Sequence, residues 1–177
     1  MNYEIKKFKD NQVTAKILDR GNLNVEIRGN TYEDLFKVAA IKEAWDTDVE
    51  NKNNVSTLTI FCLIGQRSDR RFNQNESFDL KIISKFINMM NFDKVEILHP
   101  HSSVALALID NSTEISCFEY VKKTFKSIGN PILISPDAGA YKITHSFAEK
   151  LNADIIPSNK VRINGIPKIK IQGNVHQ

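Results

Sequence analysis

Residues 131–142 carry the clearest chemical capacity in the chain. Pro131, Ile132, Leu133 and Ile134 read as a buried strand that passes through Ser135, Pro136, Asp137, Ala138, Gly139 and Ala140 into Tyr141, Lys142 and a helical pattern. A strand that turns over an acid and a glycine into a helix start can hold phosphate or its metal. The helix N-terminus leaves four amide donors unpaired there and presents the positive end of the peptide dipole. This pattern places Asp137 at the mouth of a sheet. The local alternative is that Asp137 or Ser135 caps the helix and Gly139 turns the chain.

Three further groups have side chains suited to phosphate or metal. His99 and His101 flank Pro100 just after a strand pattern, and on an extended segment two residues two apart point the same way. They could share one metal, or one could pack while the other is solvated. Arg67, Arg70 and Arg71 offer three guanidinium forks for phosphate or for stacking on a base, or form a solvated face. Lys160 and Arg162 alternate along one side of a basic hairpin arm, where cations could close over a transferring phosphoryl group.

The elements that must position these residues follow from periodicity. The first 28 residues alternate apolar and polar, with turns at Asp10-Asn11 and Arg20-Gly21-Asn22, and predict short strands ending in Asn24 to Ile27. Thr31 caps a helix that ends near Asp46, with Asp34 three positions on and Leu35, Val38, Ala39 and Ile41 on one face. Val55 to Ile64 is the strongest strand pattern, β-branched as in a sheet buried on both faces. Next come a helix at Phe78 to Met90, a strand at Lys94 to Leu98, and helices near Ser103 to Ile109 and Phe118 to Phe125. A strand at Ile132 to Ile134, a helix to Leu151, a strand at Asp154 to Ile156 and a hairpin around Asn164-Gly165 complete the order.

Such alternation predicts an α/β fold with a mostly parallel sheet flanked by helices, in which ligands bind beyond the carboxyl ends of the strands. Three of the strands end in the polar segments Arg67 to Arg71, His99 to His101 and Ser135 to Asp137. Ser127 to Pro131 interrupts helix and strand alike, which predicts domains at 1–127 and 128–177, the second incomplete.

Composition narrows the function classes. The 177 residues are 41% hydrophobic, ample for a core, and the net charge of +3, from 24 Lys plus Arg against 21 Asp plus Glu, gives no strong field for nucleic acid. No apolar run approaches the roughly 20 residues that cross a bilayer, and the N-terminus lacks the apolar segment of a secretion signal. The expectation is a cytoplasmic protein with no membrane partner. Cys62 and Cys117 are too few for a disulfide framework and are expected reduced and buried.

Taken in order, the four blocks resemble the ribose-phosphate diphosphokinases, or phosphoribosyl pyrophosphate synthetases, from about residue 20 onward. Arg67-Ser68-Asp69-Arg70-Arg71 resembles that family's Arg-Gln-Asp-Arg-Arg or Lys-Lys segment, and His101 falls on its Asp-Leu-His histidine. Ser135-Pro136-Asp137-Ala138-Gly139 is similar to its Ser-Pro-Asp-x-Gly motif, and Lys160-Val161-Arg162 to the Lys-x-Arg of its flexible loop. The resemblance implies a type I phosphoribosyltransferase-like fold. It implies an ATP site at Arg67, Ser68, Asp69, Arg70 and His101, Mg2+ served by His101 and Asp137, and catalytic Lys160 and Arg162. The implied reaction moves the pyrophosphoryl group of MgATP to ribose 5-phosphate, releasing AMP.

The sequence also departs from the family. Leu18-Asp19-Arg20-Gly21-Asn22 replaces the Phe-x-Asp-Gly-Glu segment that reaches a neighbouring subunit's adenine, Ser68 replaces a glutamine, and His99-Pro100 replaces Asp-Leu. The sequence ends at Gly173 to Gln177, where the family continues into the Asp-Asp-x-x-x-Thr-x-Gly-Thr loop that cradles ribose 5-phosphate. Proximity and orientation of two substrates can supply about 7 to 11 kcal/mol, so little turnover is expected from this chain alone. Two alternatives stand beside the diphosphokinase reading: a non-catalytic nucleotide-binding or regulatory subunit, and a pyrophosphokinase acting on ADP-ribose in NAD metabolism. The expected assembly is a homo-oligomer, or a pair with a chain supplying the remaining half.

Overall fold

The structure, a computed structural model, describes residues 2–129, 131–164 and 166–173. The chain divides into two units, Met1–Ser116 and Cys117–Gln177. In the first, strands β1 (Tyr3–Lys7) and β2 (Val13–Ile17) form an antiparallel hairpin. Strands β3 (Leu23–Ile27), β4 (Ser56–Ile60), β5 (Lys94–Leu98) and β6 (Ser112–Ile115) form a parallel sheet in that order. Helices α1 (Tyr32–Asp46), α2 (Asp79–Met89) and α3 (Val104–Leu108) connect them, with a short 3-10 turn at Val49–Asn53.

Alternation within the strands makes the core. Leu23 and Val25, Leu58 and Ile60, and Val95 and Ile97 share one sheet face and cluster with Leu35, Val38 and Ile41 of α1 and Leu80, Ile83 and Ile87 of α2. The expected start of α1 is found: Thr31 is its N-cap, and the Thr31 hydroxyl accepts a hydrogen bond from the Asp34 backbone N–H at 3.1 Å. Thr31→Ala is expected to lower stability by about 1 kcal/mol in urea unfolding, whereas Thr31→Ser keeps the bond and most of the stability.

β4 is largely buried on both sides, as its composition predicts, but it is shorter than the Val55 to Ile64 pattern. Pairing continues briefly past it, from the N–H of Phe61 to the carbonyl of Ile27 and from Cys62 to Arg28. The ladder then ends because Gly29, at φ +73°, turns β3 away. Cys62 therefore lies beyond the strand and is exposed, and Cys117 is only half-buried, against the expectation that both are buried. β6 has no counterpart in the predicted elements. It is a polar edge strand, Ser112, Thr113, Glu114 and Ile115, which carries no apolar alternation to mark it.

The second unit holds α4 (Phe118–Ile128), β7 (Leu133–Ile134), α5 (Tyr141–Leu151) and β8 (Ile155–Ile156), with β7 and β8 parallel. An antiparallel hairpin of β9 (Ser158–Ile163) and β10 (Ile166–Ile171) follows. α4 falls on this side of the division, whereas the expected joint came after it. Asn130 of that joint, Gly165 of the hairpin turn and the terminal residues 174–177 lie outside the described residues.

Candidate functional site

In the first unit, the loops that follow β4 and β5 are tied together. The loop after β4 starts at Gly65, φ +76°, which sits close against Ile83 and the start of α2. The Gln66 side-chain oxygen accepts the His101 backbone N–H at 3.0 Å. Asp69 is buried at 6% exposure. Its carboxylate receives Arg70 at 2.8 Å from Nε and 3.2 Å from the terminal nitrogen. The Arg70 guanidinium holds the Asp69 carboxyl down to about 2, helped by the Ser102 hydroxyl and by nearby His101, against the upward push of burial. Ser102 Oγ is buried and makes no hydrogen bond of regular geometry among the described residues, so its pull on Asp69 acts at longer reach.

These contacts bring Arg67 to Arg71 and His101 to one rim, the carboxyl ends of adjacent parallel strands. The members differ in what they can offer a ligand. Arg67, Arg71 and His101 are exposed. Arg70 is 63% exposed but already oriented by Asp69. Ser68 is engaged locally: its hydroxyl accepts the Asp79 N–H at 3.2 Å and its carbonyl the Leu80 N–H at 3.3 Å, which caps α2. His99 has φ +44°, so residues 99–101 are not the extended segment that would align His99 with His101. Its backbone N–H instead extends the pairing with β6, donating to Ile115.

In the second unit, Asp137 and Lys160 meet. Asp137 Oδ1 accepts the Ala140 N–H at 3.0 Å, and Oδ2 lies 3.5 Å from Lys160 Nζ. The Ala140 amide foremost, and then Lys160, keep the Asp137 carboxyl below its ordinary value. One oxygen thus caps the turn, as the local alternative expects, while the other faces a cation. The loop is fixed from the hairpin base, where the Ser158 hydroxyl donates to the Ser135 carbonyl and the Ser135 hydroxyl donates to the Asp137 carbonyl at 2.7 Å. In the β9–β10 register, Lys160 and Arg162 share one face with their partners Ile169 and Pro167. Arg162 is exposed.

Among the described residues, no three His, Cys, Asp or Glu side chains gather as a metal cage. Mg2+ can bind without such a cage, because it keeps several waters and is held through one or two carboxylates plus substrate phosphates. Asp137, half-exposed and with its pKa lowered, could serve as one such carboxylate. A polar cleft lined by Lys42, Asp46, Asn51 and Asp93 lies at the opposite, amino end of the sheet. Lys42 is buried there on Asp46 at 2.6 Å and over the Trp45 ring, a structural arrangement.

Gln66, Ser102 and Ser158 were not legible as functional residues from sequence. Each acts by a single hydrogen bond or a short-range contact between segments distant in the chain, and no spacing marks such a partner.

The fold and its cationic rim define a type I phosphoribosyltransferase-like α/β protein. No family model matches the chain. It is 28% identical over 138 residues to the ribose-phosphate pyrophosphokinase of Sulfurisphaera tokodaii, covering 72% of this chain and 47% of that one. It is 25% identical over 167 residues to the ribose-phosphate pyrophosphokinase of Pyrococcus furiosus, covering 92% and 59%. The fold superposes on the crystal structure of phosphoribosylpyrophosphate synthetase from Mycobacterium smegmatis with a TM-score of 0.75 at 12% identity, covering 97% of this chain and 58% of that one. The chain spans about half the length of the curated relatives it matches. It is similar to the ribose-phosphate pyrophosphokinases at low identity, as a divergent relative. No described helix is long and apolar enough to cross a membrane.

Proposed function

We propose that this protein is a ribose-phosphate diphosphokinase-like transferase that binds MgATP and directs its pyrophosphoryl group to the 1-hydroxyl of a ribose 5-phosphate-type acceptor. The hydroxyl oxygen bonds to the β-phosphorus, the bond from that phosphorus to the α–β bridging oxygen breaks, AMP leaves with the bridging oxygen, and the hydroxyl proton passes to solvent. Arg67 and the pre-oriented Arg70 neutralise and orient the nucleotide, with Ser68, Asp69 and His101 completing that set. Ser68 and Asp69 act through position, one by capping α2 and the other by holding Arg70. Lys160 and Arg162 stabilise charge that develops as the bridging bond breaks. His101 in the first unit and Asp137 in the second are each proposed as a group that would serve Mg2+, which would neutralise phosphate charge when bound.

The observation that carries this reading is the lacing of the Arg67–Arg71 loop to His101 through Gln66 and Asp69, at the place where this fold class binds ligands. Calorimetric titration with MgATP tests it. Saturable binding is expected, weakened about tenfold or more by Arg67→Ala, in line with the loss of a charge-assisted contact. An assay for AMP release with ribose 5-phosphate, on wild type and Lys160→Ala, then separates transfer from mere binding. Tight ATP binding with no AMP release would favour the regulatory-subunit alternative, and absence of ATP binding would overturn both.

A further inference from the structure

The arm formed by β9 and β10 is fixed at its root on both strands. On β9 the Ser158 hydroxyl donates to the Ser135 carbonyl, and just after β10 the Gln172 N–H donates to the Pro157 carbonyl at 2.9 Å. Between Ser158 and Ile171 the sequence holds four cations and no acid. Lys160 is the one of the four that has an ion-pair partner among the described residues, Asp137 of the loop after β7. Asp137 has both oxygens engaged. Oδ1 accepts the Ala140 N–H at 3.0 Å, over a glycine, Gly139, whose Cβ would stand 3.3 Å from that oxygen. Oδ2 is the oxygen left for an incoming cation, and the Lys160 ammonium already lies 3.5 Å from it.

We infer that Asp137 parks the arm: Lys160 holds Oδ2 until a divalent cation takes that oxygen, and the displaced ammonium then carries Lys160 and Arg162 free to meet substrate phosphate. The inference rests on the proposed function, in which Asp137 serves Mg2+ and Lys160 acts on the phosphoryl group, and it adds an order of events to that reading. Lys160 becomes available where the metal is already in place. Two features make the exchange workable. The pair is easily broken, because both side chains stand about one-third exposed, at 37% and 35%, where water screens their attraction. A divalent ion carries twice the charge of the ammonium and favours carboxylate oxygen, so the two repel when set on one oxygen. The second feature is that release leaves the arm attached. The bonds at Ser158 and Gln172 hold the root without the Asp137 carboxylate, so the exchange frees a side chain and the ribbon beyond it rather than the whole hairpin.

Titration of the full chain with Mn2+ and no nucleotide, read by electron paramagnetic resonance, tests it, since Mn2+ shares the preference of Mg2+ for carboxylate oxygen. Lys160→Met is expected to bind Mn2+ about threefold more tightly than wild type, the scale of one exposed ion pair. Lys168→Met removes the same charge from the opposite face of the ribbon and should shift the affinity far less. Hydrogen exchange supplies a second readout. Saturating Mg2+ should speed exchange in the arm of the wild type, and Lys160→Met should exchange at the faster rate before metal is added. Asp137→Asn, which keeps an oxygen for the Ala140 amide, separates this inference from the reading beneath it. Equal Mn2+ affinity in wild type and Asp137→Asn would remove Asp137 from the metal site, and the parking with it. Affinity that needs Asp137 but ignores Lys160, with arm exchange unchanged by Mg2+, would overturn the parking alone.

Discussion

Replacing Gly29 with alanine is expected to destabilise the first unit by about 3 kcal/mol, the sum of a left-handed backbone penalty and an overpacked core. Gly29 holds φ +73°, and a Cβ there would stand 2.6 Å from Ile60 Cγ2 and 3.2 Å from the Cys62 carbonyl oxygen. Ile60 is fully buried and cannot swing away. Chemical denaturation with matched circular dichroism and fluorescence would measure the loss. The damage also reaches the rim, because the Gly29 carbonyl accepts the Ile64 N–H that leads into the Arg67 loop. Nucleotide binding should therefore weaken even under conditions where the variant remains folded. A Gly29→Ala protein as stable as wild type would show that β3 does not close on β4 in this way.

Asp69→Asn is expected to remove about 1–2 kcal/mol of stability and to release Arg70 from its fixed orientation. The same residue gives a pH signature. The Asp69 carboxyl is held at about 2, below its ordinary value of 3.8, chiefly by Arg70. A depressed carboxyl contributes stability that is fully present above its unfolded value and is lost as pH falls through the folded one. The wild type should thus lose stability between about pH 5 and pH 2, and the slope of stability against pH should be shallower in Asp69→Asn over that window. Unfolding curves at several pH values would read this directly. An unchanged slope would mean that Asp69 and Arg70 are not paired in solution.

The legible part of the molecule was what side-chain periodicity encodes. The Thr31 cap with Asp34, the α2 stripe and the β5 alternation each follow from local pattern, and the structure has all three. Where packing or backbone geometry decided, sequence was silent. β4 stops short of its Val55 to Ile64 pattern, and nothing in Phe61 to Ile64 shows that Gly29, far upstream, turns its partner strand away. β6 went unseen because an edge strand need not be apolar. At the site, the grouping of Arg67 to Arg71 with His101, and of Asp137 with Lys160, was accessible through the order of motifs. The division of labour within it was not. Only the folded chain shows Ser68 occupied with α2, Asp69 as the anchor of Arg70, and His99 turned out of line by a positive φ.

The hairpin that carries Lys160 and Arg162 has a further consequence. Its two strands are matched residue for residue from Ser158 opposite Ile171 to Ile163 opposite Ile166, and its root is moored by the Ser158 hydroxyl on Ser135. Because successive side chains leave a ribbon on opposite sides, the delivery of both cations depends on odd and even counting from that mooring. One residue inserted between Ser158 and Lys160 would turn Lys160 and Arg162 to the reverse side and bring Val161 and Ile163 to the front, while length, composition and net charge stayed almost the same. The arm's capacity to reach Asp137 is therefore a matter of parity, and a gain or loss of two residues would be tolerated where a single one would not.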